Sequence, residues 1–187
     1  MFILSPDIYM KSKYTTKNEN HNLIAGKLFP AIISFVLLVF LDQFTKYIII
    51  NNMTLYDSIP VINNIFEIHY IQNPGAAWGI LANHQLLFII CTILVILFGI
   101  YIYFRCINFE QLRAFRYLLV LILAGAVGNL VDRIRFRYVI DFLYFKLINF
   151  PVFNVADCYV TIGFFLMIIL IFFKYSDEDF EMIIKKK

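Results

Sequence analysis

Two aspartates, Asp141 and Asp157, stand sixteen positions apart in YVIDFLYFKLINFPVFNVADCY, residues 138–159, among side chains that are otherwise mostly aromatic or aliphatic. A charged group at the centre of a membrane helix costs roughly 2.5–3.5 kcal/mol on insertion scales, so an acid retained in such a stretch marks a functional site or a paired structural group. Two carboxylates sharing one site cannot both ionise easily and hold one proton between them. In that state one acts as general base on a water while the other, protonated, polarises a carbonyl. The chemistry is amide hydrolysis with no covalent intermediate, and it asks for no metal and no cofactor.

Other routes to hydrolysis lack their residues. There is no HExxH motif, and the three histidines, His21, His69 and His84, are scattered, so a zinc peptidase has no ligand set. Ser34 and Lys46 share the first apolar helix but lie roughly 18 Å apart along it, too far for a nucleophile and its base. Cys91, Cys106 and Cys158 show neither CxxC nor metal spacing and read as apolar packing residues. No glycine-rich phosphate loop is present, and no basic stripe of the kind nucleic acid requires.

Further polar residues fall at helical spacing. Asp42, Thr45, Lys46 and Ile49 occupy i, i+3, i+4 and i+7, while Gly125, Asn129, Asp132 and Arg133 occupy i, i+4, i+7 and i+8. Each set forms one stripe on a helix. Lys46 could simply neutralise Asp42, and Asp132 with Arg133 could be a structural charge set. Ala124 and Gly128 form a small-xxx-small pair that lets another helix approach closely.

The elements that must hold these groups are membrane helices. Of 187 residues, 61% are hydrophobic and 16% charged, with mean hydropathy +0.78, where soluble domains carry about 25% charged residues. Four apolar segments, 28–50, 86–104, 115–134 and 152–173, read as bilayer-crossing helices, though only the second is free of charge over its whole length. The expected fold is an all-α membrane protein of four transmembrane helices in one domain, 28–173. A small extracytoplasmic β/loop subdomain at 51–85 and an interfacial segment at 135–150 complete it. Residues 1–27 and 174–187 read as polar cytoplasmic tails. Lys and Arg gather before the first helix, between the second and third, and after the fourth, which places both termini in the cytoplasm, although Arg133, Arg135, Arg137 and Lys146 argue the other way. The first, third and fourth helices turn polar at the same outer end, as an enclosed site requires and a lipid-facing surface forbids. Within the loop, 65–72 reads as a short strand and NPGAAWG (73–79) as a turn with Trp78 as an interfacial anchor. On these residues alone an ion-coupled transporter or a structural partner in a larger complex stays open, though the inner halves of the helices are too apolar for a continuous ion path.

Five motifs in order, DQFTK (42–46), NPGAAWG (73–79), AGAVGNLVDR (124–133), VIDF (139–142) and FNVAD (153–157), resemble those of the bacterial lipoprotein signal peptidases, membrane aspartyl peptidases with four transmembrane helices. The resemblance spans about 30–173. It implies that Asp141 and Asp157 are the catalytic pair and that Asn73, Asn129, Arg133 and Asn154 line the site. Asp42, Gly75, Asp132 and Ala156 match positions that support its shape or contact substrate. It implies as substrate a prolipoprotein cut just before a diacylglyceryl-modified cysteine, and a monomer working among membrane lipids in the bacterial cytoplasmic (inner) membrane, with its site near the outer leaflet. The chain departs from the family at Arg137, where glycine is usual, at Ala124–Gly125, where GG is usual, and at Trp78, where phenylalanine is usual.

Overall fold

The computed structural model describes residues 6–75 and 84–184. Helix α1 (Pro6–Asn52) is followed by strands β1 (Ser58–Ile62) and β2 (Phe66–Asn73). Then come α2 (Gln85–Cys106), α3 (Arg113–Phe136), strand β3 (Val139–Tyr144), α4 (Val155–Phe173) and a short α5 (Asp177–Ile184). Four stretches are long and apolar enough to cross a membrane: Ile24–Asn52, Gln85–Cys106, Glu110–Phe136 and Val155–Phe173. The expectation of an all-α membrane protein with a small β subdomain holds. The residues read as a polar N-terminal tail instead continue α1 back to Pro6. Those read as a C-terminal tail contain α5. The end of the NPGAAWG motif, with the Trp78 anchor, lies outside the described residues.

Helix α3 is the central element, with half of its most apolar window buried against α1, α2 and α4. Its small residues allow this. Ala124 is fully buried, and a side chain at Gly128 would collide with Asp42 of α1 and approach Ala156 of α4. At its C-terminus Arg137 adopts the left-handed conformation, φ 66° and ψ 17°, and its N–H donates to the Arg133 carbonyl. Glycine reaches that conformation without strain, so this position favours glycine, and nothing in the structure explains the arginine that stands there.

The interfacial segment expected at 135–150 is a strand in its first half. β3 pairs antiparallel with β2, giving the order β1-β2-β3, with Ile71 opposite Asp141 and Asn73 opposite Val139. Val139, Ile140, Asp141 and Phe142 are all buried, so the strand is covered on both faces and lacks the alternation that betrays a half-exposed strand. Helix α4 starts at Val155 rather than 152, because Phe153 still pairs with Leu143 and Asn154 is the N-cap.

Candidate active site

Asn154 sits where strand pairing gives way to helix, and its side chain organises both aspartates. Its Oδ1 accepts from the Asp157 N–H at 3.0 Å, and Asp157 Oδ2 accepts from the Asn154 N–H at 3.1 Å, a capping box that fixes the start of α4. With Oδ1 so engaged, Nδ2 must face the other way. It donates to Asp141 Oδ1 at 2.7 Å and to Asn129 Oδ1 at 3.1 Å.

Two more amides complete the set. Asn73, at the end of β2, accepts the Gly75 N–H on Oδ1 and donates to Asp141 Oδ2 at 2.9 Å. Asn129 of α3 accepts Lys46 Nζ at 3.0 Å and donates to Asp157 Oδ1 at 2.7 Å. Each asparagine is oriented by a second bond, so none can flip without losing two. Every oxygen of the two carboxylates receives one donor and keeps capacity for a proton or water. Asp141 is buried, and that burial, followed by the negative charge of Asp157, pushes its carboxyl up to about 7 against the pull of the two amides and of Lys46.

Behind the pair lies a buried charge cluster. Lys46 Nζ stands 3.0 Å from Asp42 Oδ2 and 2.9 Å from Asp132 Oδ2, all three side chains essentially without exposure. Asp42 Oδ1 accepts the Ala156 N–H at 2.9 Å, and Asp132 Oδ2 accepts the Ile140 N–H at 3.2 Å. The residues so held, Ala156 and Ile140, immediately precede Asp157 and Asp141. Gln43, to which sequence reasoning gave no role, donates to Asp42, Asp132 and the Gly128 carbonyl. Thr45 turns from its stripe to bond the Asp42 carbonyl at 2.7 Å.

Both aspartates line a cavity of about 650 Å³ together with Asn73, Gly75, Asn129 and Arg133. Its other walls are largely apolar, among them Phe88, Phe145, Phe150, Phe153 and Ile162, which sequence reasoning left unassigned because single aromatics in an apolar chain carry no signal. Arg133 lies 5.1 Å over the Phe88 ring and 3.4 Å from the Gly75 carbonyl. Its Nε is buried with no hydrogen-bond partner among the described residues. Asp42, Asp132, Asn154 and Ala156 are fully or almost fully buried and shape the site from behind. Among the described residues, no group of His, Cys, Asp and Glu could hold a metal ion. The two carboxylates thus share the wall of one largely apolar cavity.

A family model described as signal peptidase (SPase) II matches residues 34–173. The lipoprotein signal peptidase of Clostridioides difficile (strain 630) is 41% identical over 145 residues, 76% of this chain and 95% of that protein. That of Caldanaerobacter subterraneus subsp. tengcongensis is 43% identical over 145 residues, 77% and 97% of the two chains. A solved bacterial membrane enzyme superposes with TM-score 0.69 at 35% identity, covering 76% of this chain and 87% of its own.

Proposed function

Because the chain belongs to the signal peptidase II family, a family of bacterial membrane peptidases, we propose that it removes the signal peptide from diacylglyceryl-modified prolipoproteins by aspartyl catalysis. Asp141 and Asp157 are the catalytic residues of this reading. The observation that carries it is that both carboxylates line one cavity and are joined through Asn154, which bonds the side chain of one and the backbone of the other.

Asp141 holds the shared proton, since its carboxyl is pushed up to about 7. Asp157 carries the negative charge, because it lies in the first turn of α4, where the helix N-terminus favours an anion. Asp157 then takes a proton from water while Asp141 polarises the scissile carbonyl. The water oxygen bonds to the carbonyl carbon, the C–N bond breaks, and the departing amine takes up a proton from the pair. Arg133, with its unpartnered Nε, holds a main-chain carbonyl of the substrate. The aromatic walls take the apolar residues around the cleavage point and leave the diacylglyceryl chains to the bilayer. Loop charges support both termini in the cytoplasm and the site near the outer leaflet. One chain supplies every group of the pair and its amides, so the reading calls for no second copy.

The test is cleavage of a diacylglyceryl-modified precursor peptide by purified protein. Asp141→Asn and Asp157→Asn should each lower the rate by about 10²–10⁴-fold, the usual contribution of a positioned acid or base, with the fold retained. Cleavage retained by either variant would end the aspartyl reading.

A further inference from the structure

At the other end of the bundle lies a polar set that the reaction does not use. Lys27 of α1 and Arg113 and Arg116 of α3 line a cavity of about 160 Å³ with one acid, Glu110. Arg116 is buried, and its Nη1 donates to the carbonyls of Cys106, Ile107 and Phe109 at the end of α2 and in the connection after it. Lys27 Nζ meets Glu110 Oε1 at 2.7 Å, but the Glu110 side chain is 63% exposed and can turn into water. Glu110 Oε1 also lies 3.9 Å from Arg116 Nη2, and Asp179 and Lys174 line an adjoining space with Arg113; the three cations and one acid of the niche lining itself leave it net positive. Gly26 and Pro30 form its wall. Proline gives the Gly26 carbonyl no N–H, and nothing stands within 4 Å of where a Gly26 side chain would begin.

A separate apolar groove of about 330 Å³ lies beside the niche between α1, α2 and α3, lined by Leu28, Phe35, Ile96, Ile100 and Leu123 among others. Tyr103 lines both spaces, and its hydroxyl donates to the Lys27 carbonyl at 3.4 Å. A positive niche at a helix end, with Tyr103 as the wall it shares with an apolar groove along the bundle, matches a negatively charged head joined to a hydrocarbon chain. Basic pockets between transmembrane helices bind anionic lipid head groups, and arginine's planar fork suits phosphate oxygens.

We infer that this niche and groove bind an anionic glycerophospholipid of the leaflet opposite the candidate active site. The phosphate lies among Lys27, Arg113 and Arg116, and one acyl chain lies in the groove. The binding displaces Glu110 from Lys27. A signal-peptide helix is a poor occupant, because its basic start would face three cations.

Titrating the full chain in detergent micelles with phosphatidylglycerol or phosphatidylcholine, read by native mass spectrometry, tests this. Phosphatidylglycerol should bind roughly tenfold more tightly, the order expected for one or two cation contacts. Lys27→Gln with Arg113→Gln should remove that preference, Ile100→Trp should weaken both lipids, and Glu110→Gln should tighten phosphatidylglycerol alone. Melting in lipid-free micelles checks each fold. If the double variant unfolds, Arg113→Gln alone carries the test, since that guanidinium lies over the Tyr117 ring at 5.9 Å rather than in the buried carbonyl contacts of Arg116. Equal retention of the two lipids, or a preference that survives loss of Arg113, overturns the inference. So does glycerol 3-phosphate binding as tightly as the lipid, or displacement of the lipid by a basic signal-peptide segment.

Discussion

Burial in β3, then the neighbouring charge of Asp157, moves the Asp141 carboxyl from 3.8 to about 7, a preference for the protonated form of roughly 4 kcal/mol. If the working state is the pair with one proton, kcat/KM should be level from about pH 5.5 to 6.5. Above 7 it should fall tenfold per pH unit, reaching about 1% of the plateau at pH 9. The assay is cleavage of a diacylglyceryl-modified precursor in micelles across this range. Asn73→Ala removes an amide that favours the charged carboxylate, so the fall should move to higher pH. A rate that climbs through pH 7, as an imidazole base or a thiolate would give, refutes the shared-proton argument, and so does a flat profile from 6 to 9. The same group bears on stability. Folded Asp141 keeps its proton to about 7, whereas the unfolded chain releases it near 3.8. Its contribution is therefore fully present below 3.8 and lost as pH rises through 7. The melting temperature of wild type should fall over that window by more than that of Asp141→Asn.

Lys46→Met leaves Asp42 and Asp132 buried without their cation and should cost about 3–5 kcal/mol in thermal or denaturant unfolding. Adding Asp132→Asn to it should recover part of that loss. Arg137→Gly relieves a left-handed non-glycine residue, worth about 1–2 kcal/mol, against roughly 0.4–1 kcal/mol of added chain entropy in the unfolded state. A gain of about 0.5–1 kcal/mol is expected, with cleavage unchanged.

The two aspartates were legible because carboxylates break an apolar run, and Asp42, Lys46 and Ile49 because helical periodicity puts them on one face, where all three are buried. Gln43 was not legible. As the neighbour of Asp42 it lies about 100° away around the helix, and only the length of its side chain returns it to Asp42 and Asp132. Strand β3 escaped because burial on both faces erases the period of two, so VIDF reads like any apolar segment. The apolar run suggests a start of α4 at 152 because Val152 and Phe153 are apolar like the helix that follows, yet the Phe153 carbonyl is taken by the Phe142 and Leu143 N–H groups.

A buried lysine between two acids is poor evidence of stability, since apolar residues of similar volume often do as well. Its placement here argues for position. Asp42 grips the N–H just before Asp157, Asp132 grips the N–H just before Asp141, and Lys46 joins both acids to the Asn129 that orients Asp157. The Asp42–Lys46 turn of α1, together with Asp132 of α3, thereby ties the start of α4 to the start of β3. Misplacing reacting groups by about 1 Å can cost 10²-fold, so under the proposed aspartyl mechanism the cluster's value lies in fixing the relative position of two carboxylates from separate elements.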